Sequence, residues 1–90
     1  MYLELENIYN LFNQYNFLLY KKEIYNNTIL LEFCRIENVI DKFSILLREN
    51  NIETIIPIKK NNIAFKNLNY NLKNTFNYLK FHIENYCNIE

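Results

Sequence analysis

Apolar and polar positions follow several distinct rhythms along the chain, and each rhythm predicts an element. Over residues 3–20, Leu5, Ile8, Tyr9, Phe12, Tyr15 and Leu19 recur at three- and four-residue steps, the period of one helical face. Asn7, Asn10, Asn13 and Asn16 fill the gaps. Asn is a middling helix former, so this helix needs tertiary packing to persist. Leu11, Phe17 and Leu18 widen its apolar face, which predicts contact with more than one surface. Tyr25-Asn26-Asn27 breaks the pattern. Thr28–Phe33 then reads as a strand, with Ile29, Leu31 and Phe33 on one face and Leu30 on the other.

Ile36, Val39, Ile40, Phe43, Leu46 and Leu47 form a helical stripe over residues 36–49. Glu37, Asn38, Asp41, Lys42, Arg48 and Glu49 make its wet face, and Asn50-Asn51 ends it with a left-handed cap. Residues 52–59 read as a strand; Pro57 has no N–H for a ladder, which places this stretch at an edge or leaving the sheet. Lys59-Lys60-Asn61-Asn62 is a hairpin signal, with Asn-Asn in place of Asn-Gly, and residues 63–68 return as a strand. Leu72, Phe76 and Leu79 suit a short helix near 70–78. Residues 79–89 alternate (Leu79, Phe81, Ile83, Asn85, Cys87, Ile89), the pattern of a last strand with one buried face. The predicted order is one helix followed by β-α-β-β-α-β. That is an α+β fold of the ferredoxin-like, split βαβ type, a four-stranded antiparallel sheet with two helices. Residues 1–26 form an N-terminal helical extension and residues 27–90 the domain.

Length and composition narrow the class. Ninety residues make one domain, and half of them are apolar, enough for a modest core. Asn supplies 18 residues and Ile 13, while Gly is absent and Pro occurs once. The favoured residues have A/T-rich codons, which points to an AT-rich genome: an organelle, a bacterium or its phage. The clean periodicities separate the chain from disordered Asn-rich tracts. Without Gly, any turn needing positive φ falls to Asn, and Gly-rich phosphate-binding loops are excluded. Two widely spaced cysteines, Cys34 and Cys87, make no disulfide framework; they fit packing roles in a reducing compartment. No apolar run reaches membrane-spanning length, and no secretory or transit signal is visible around Glu4 and Glu6.

Charge cancels overall but not locally. Between Glu53 and Glu84 there is no acid, while Lys59, Lys60, Lys66, Lys73 and Lys80 fall in that stretch. Such a segment suits phosphate contact, because each neutralised phosphate releases counterions. Candidate RNA- or partner-binding residues are Lys59, Lys60, Asn61, Asn62, Lys66, Lys73, Lys80 and His82, with Tyr70 and Tyr78 as stacking platforms. Catalytic chemistry has little material: one histidine, His82, one serine, Ser44, and scattered carboxylates such as Glu32, Glu37 and Asp41. No cysteine or histidine cluster has zinc spacing. The expectation is a non-enzyme with no metal, cofactor, small-molecule substrate or membrane partner.

Residues 28–89 resemble ribosomal protein S-ten of the small subunit. Ile29-Leu30-Leu31-Glu32-Phe33 looks like its first strand, and Ile36–Asn50 like its first helix. Ile56-Pro57-Ile58-Lys59-Lys60-Asn61-Asn62 resembles its hairpin motif of the type G-P-I-P-L-P-T, with Phe65 on the return strand. Asn74-Thr75-Phe76-Asn77-Tyr78-Leu79-Lys80-Phe81-His82 is similar to its motif of the type S-R-x-Q-F-E-I-R-T-H-K-R. The resemblance implies a structural protein in the head of the small ribosomal subunit. Its hairpin would touch ribosomal RNA and neighbouring small-subunit proteins. Near-zero charge and AT bias then suggest an organelle-encoded component in the mitochondrial matrix, or otherwise the cytoplasm of an AT-rich bacterium. The competing expectation is a small phage- or plasmid-type interaction protein, such as an inhibitor of a host defence complex. It would act by protein–protein binding, with Tyr2, Tyr20 and Tyr25 as anchors. A small-ligand regulatory domain would need Gly-rich capture loops, and the chain has none.

Overall fold

The computed structural model describes residues 2–58 and 63–88, with side chains for 5–37, 41–57 and 66–87. The order is α1 (Tyr2–Gln14), β1 (Leu18–Tyr25), β2 (Thr28–Arg35), β3 (Asn38–Leu47), β4 (Ile52–Ile58), β5 (Ile63–Asn69) and α2 (Leu72–Asn88). The fold is α+β. The strands pair antiparallel in sequence order, β1-β2-β3-β4-β5, so the sheet is a five-stranded meander. Helices stand at the two ends of the chain rather than between strands, so the expected split βαβ order is not the one observed. Residues 38–47 of the predicted helix over 36–49 form β3, and residues 79–88 of the predicted last strand over 79–89 belong to α2, residue 89 lying outside the described residues.

α1 stops earlier than its apolar stripe suggests, and the stop is local chemistry. Asn16 takes φ 66°, the left-handed value glycine usually supplies after a helix. Phe17 N donates to Phe12 O at 2.9 Å and Asn16 N to Asn13 O at 3.1 Å, which closes a Schellman-type end. The Phe12 and Phe17 rings meet at 5.8 Å across this turn and complete the motif. β1 follows at once and turns into β2 through Asn26 (φ 46°) and Asn27 (φ 61°). Two left-handed residues in a two-residue loop match the twist of a hairpin. The division expected after residue 26 therefore falls inside a hairpin turn.

Both helices cover one face of the sheet. Leu31, Phe33, Phe43, Ile45, Ile52 and Ile56 point into the core from the strands. Ile8, Leu11 and Phe12 meet them from α1, and Leu72, Leu79, Ile83 and Tyr86 from α2. Phe12 stacks on Phe33 with centroids 4.0 Å apart, and Phe43 contacts Phe12, Phe17 and Tyr86 edge-on at 5.1–5.6 Å. Each fully buried phenylalanine contributes roughly 2–3 kcal/mol of transfer free energy. Residues from both ends of the sequence thus share one core, and the first 26 residues are part of the domain. Pro57 lies beyond the last β3–β4 pair, Ser44–Ile55, where β4 pairs only with β5; its missing N–H costs no central ladder bond.

Candidate protein-binding edge

β1 is an edge strand with one neighbour, β2, and all eight of its residues are exposed. Leu18, Leu19, Tyr20, Ile24 and Tyr25 are each between 42% and 68% accessible. These residues form a strand because large apolar and aromatic side chains suit a pleated surface. The hairpin turn then fixes the register from Tyr25–Thr28 onward. On its free side the strand presents backbone N–H and C=O groups, a ready template for another strand.

Two features of β1 shape that edge. Its register shifts between Leu19 and Lys21, which leaves Tyr20 as a bulged residue, and Lys42 Nζ sits 4.7 Å from the Tyr20 ring centroid. Lys21 Nζ pairs with Glu23 Oε1 at 3.1 Å. The hydrogen bond and charge of Glu23 hold the Lys21 ammonium above its ordinary value, and Glu32 across the strand pair adds to this. The far edge, β5, differs: of its described side chains, Lys66, Asn67 and Asn69 are polar and Leu68 alone is apolar.

The surface continues from β1 in two directions. Away from the helices, alternation puts half-buried Leu30, Leu46 and Ile55 and exposed Leu68 among Glu32, Lys42, Glu53 and Lys66; no described element packs on this face. Around the end of the sheet, a cleft of about 830 Å³ opens where α1 and α2 begin, and Leu5, Ile24, Ile29, Leu47, Ile52 and Leu72 line it. Ile24 belongs to both the β1 edge and this cleft.

The described lysine candidates do not converge. Lys59, Lys60, Asn61 and Asn62 lie outside the described residues. Lys66 sits on β5 opposite Ile55, on the face away from the helices, whereas Lys73 and Lys80 are exposed on α2 in the other layer. Lys80 lines a groove between the helices with Asn7, Asn10, Gln14 and Glu84. His82, expected on a strand, lies on α2 with its ring 4.3 Å from Tyr78 and 5.2 Å from Phe81; desolvation lowers its pKa. Tyr70 is well exposed just before α2, while Tyr78 is half-buried against the core. Of the tyrosines expected as protein-binding anchors, Tyr20 and Tyr25 are both exposed on β1; the side chain of Tyr2 lies outside the described ones.

At the opposite end from the cleft, Arg35 ties three elements together. Its Nε donates to Tyr15 O at 3.3 Å, just past α1, and its Nη2 to Cys87 Sγ at 2.9 Å on α2. The guanidinium lies 5.0 Å from the Phe17 centroid and 5.8 Å from that of Tyr86. Tyr86 in turn donates its hydroxyl proton to Asp41 Oδ2 at 2.6 Å. Burial and the nearby Glu84 and Cys87 raise the Tyr15 phenol pKa. Cys34 is buried, and burial pushes its thiol up and disfavours the thiolate. Asp41 and Glu32 do not form a carboxylate pair: Asp41 faces α2, and Glu32 faces Ser44 on the uncovered face.

Sequence reasoning missed β1 and Arg35. The Asn-Asn signal that predicts a hairpin at Asn61-Asn62 also stands at Asn26-Asn27, but the helical stripe running to Leu19 masks it. No local signal marks Arg35, whose partners are far away in sequence. No family model matches the chain, and neither a curated protein nor a solved structure does.

Proposed function

We propose that this chain is a protein-binding module whose working surface is the free edge of β1 with the apolar residues beside it. The observation that carries the reading is the exposure of all of β1, including Leu18, Leu19, Tyr20, Ile24 and Tyr25, on a strand with an unpaired side. An unpaired strand supplies backbone hydrogen bonds to an incoming strand, and alternate side chains supply selectivity. Tyrosine and isoleucine beside that ladder offer apolar contact area at modest entropy cost. This mode fits the expected small interaction protein that acts by protein–protein binding. The small-subunit ribosomal reading rested on the β-α-β-β-α-β order, on the motif-like stretches around Pro57 and His82 and on the acid-free lysines; of these, the stretches matched to its first helix and last strand lie in β3 and α2.

Affinity capture from the native source tests the proposal with two tagged variants beside the wild type. Ile24→Lys with Tyr25→Lys is expected to reduce the co-purifying protein about tenfold, equivalent to ~1.4 kcal/mol. Lys73→Glu with Lys80→Glu is expected to leave it unchanged, with or without nuclease. Capture that survives the β1 substitutions but is lost with the lysines or on nuclease treatment would overturn the proposal in favour of RNA.

A further inference from the structure

The free edge of β1 is self-complementary. From Leu19 to Tyr25 the strand reads apolar, apolar, basic, basic, acidic, apolar, apolar, with Lys22 at its centre. Lys21 and Glu23, two residues apart, project from the same face and touch at 3.1 Å. In an antiparallel pair of identical strands, a two-fold axis normal to the sheet keeps each residue's face and places residues symmetric about the axis opposite one another. With the axis at Lys22, Lys21 of each copy lies opposite Glu23 of the other, and four alternating charges form on one face.

The bulge is compatible with this register. Without it, Leu19 would lie opposite Tyr25 and Tyr20 opposite Ile24, pairs that are apolar as well. Tyr20 is the extra residue, because Leu19 pairs with Phe33 and Lys21 with Glu32. Counting Tyr20 as extra, Leu19 falls opposite Ile24 of the second copy, and both project from the helix-bearing face. Leu18 falls opposite Tyr25, on the other face. The exposed apolar side chains of β1 thereby meet apolar ones across the axis. The one unfavourable contact is Lys22 against itself, on the axis.

We propose that the occupant of the β1 edge is a second copy of this chain, paired antiparallel about Lys22 so that two five-stranded sheets become one. The proposal rests on the reading of β1 as the binding surface and names its partner. The ladder is short, so the dissociation constant is expected on the order of 10 µM.

Sedimentation equilibrium over a concentration series tests it, with circular dichroism to check that each variant is folded. Lys21→Glu sets Glu against Glu23, and Glu23→Lys sets Lys against Lys21, so each alone is expected to weaken dimerisation about tenfold or more. An equimolar mixture of the two restores both ion pairs and is expected to recover wild-type association. The doubly substituted chain, Lys21→Glu with Glu23→Lys, is expected to dimerise alone. Lys22→Thr removes the like-charge contact and is expected to tighten the dimer. A wild-type chain that stays monomeric up to about 0.5 mM overturns the proposal, since that is weaker than any specific dimer of use here. So does a dimer indifferent to both charge reversals, or single variants whose mixture fails to recover. If the chain is monomeric while the β1 substitutions still abolish capture of another protein, only the identity of the partner falls. If both experiments fail, the binding surface itself is misassigned.

Discussion

Asn16, Asn26 and Asn27 hold φ values of 66°, 46° and 61° in a chain that contains no glycine. Asn tolerates the left-handed region because its short amide hydrogen-bonds locally, while most other side chains lose roughly 1–2 kcal/mol there. The substitution of Asn for Gly was therefore readable from composition, and it decides where α1 ends and where β1 turns. Its address was not readable: Asn50 and Asn51, expected to cap a helix, lie in the β3–β4 turn without positive φ, and Arg48 N donates to Asn51 O at 3.0 Å there. A second residue-scale feature is a local conflict. Thr54 is fully buried and its hydroxyl has no partner among the described residues. Thr54→Val keeps the shape and removes the desolvated hydroxyl. It is expected to stabilise the fold by about 1 kcal/mol, a rise of roughly 5 °C in Tm by differential scanning calorimetry. A fall in Tm would show that the hydroxyl has a partner that holds it.

At the scale of elements, two segments read in the wrong period, for different reasons. In β3, Phe33 pairs with Phe43 but Arg35 pairs with Asn38, so residues 39–42 bulge against β2 and the phase of alternation shifts. A strand with a phase shift imitates three- and four-residue spacing, and the stripe from Ile36 to Leu47 was that imitation. In α2 the buried positions are Leu72, Thr75, Leu79, Ile83 and Tyr86, a clean helical period, whereas Phe81, which carried the apparent alternation, is well exposed. Both periods were present in the sequence, and packing selected one. The start of α2 is marked locally by Asn71, whose Oδ1 accepts from Asn74 N at 2.8 Å in the manner of an N-cap. Asn71→Ala is expected to cost about 1 kcal/mol, measured as a lower urea midpoint at unchanged m-value. Loss of β-sheet signal instead would mean that Asn71 serves the β5 end and not the helix.

For the whole molecule, closure depends on contacts between distant parts of the chain. Leu5 and Leu72 share the cleft at one end, while Tyr15 and Glu84 interact at the other, so α1 and α2 run side by side in the same direction. Arg35 joins the second end by reaching the Tyr15 carbonyl, which α1 leaves unsatisfied, and the Cys87 sulfur. Arg35→Ala removes those donors and the guanidinium that lies over the Phe17 and Tyr86 rings. It is expected to cost about 2–3 kcal/mol in urea unfolding. Arg35→Lys is expected to recover only a minor part, because an ammonium lacks the planar fork that reaches both acceptors. Full recovery by lysine would reduce the role of Arg35 to a point charge.

The sequence by itself determined the α+β class, strands within residues 28–33, 52–58 and 63–68, an amphipathic first helix, and the use of Asn at the positive-φ positions among the described residues. It also marked Tyr2, Tyr20 and Tyr25 as exposed candidates for binding a protein, of which Tyr20 and Tyr25 are exposed on β1. Only the tertiary structure decided that residues 38–47 are a strand and that the helix expected near 70–78 runs on to residue 88, since each stretch carried apolar residues compatible with two periods. It also decided that β1 exists, at the edge of the sheet. A strand and a helix of similar apolar content differ in what they pack against, and the partners of β1, β3 and α2 are set by pairings that local sequence does not contain.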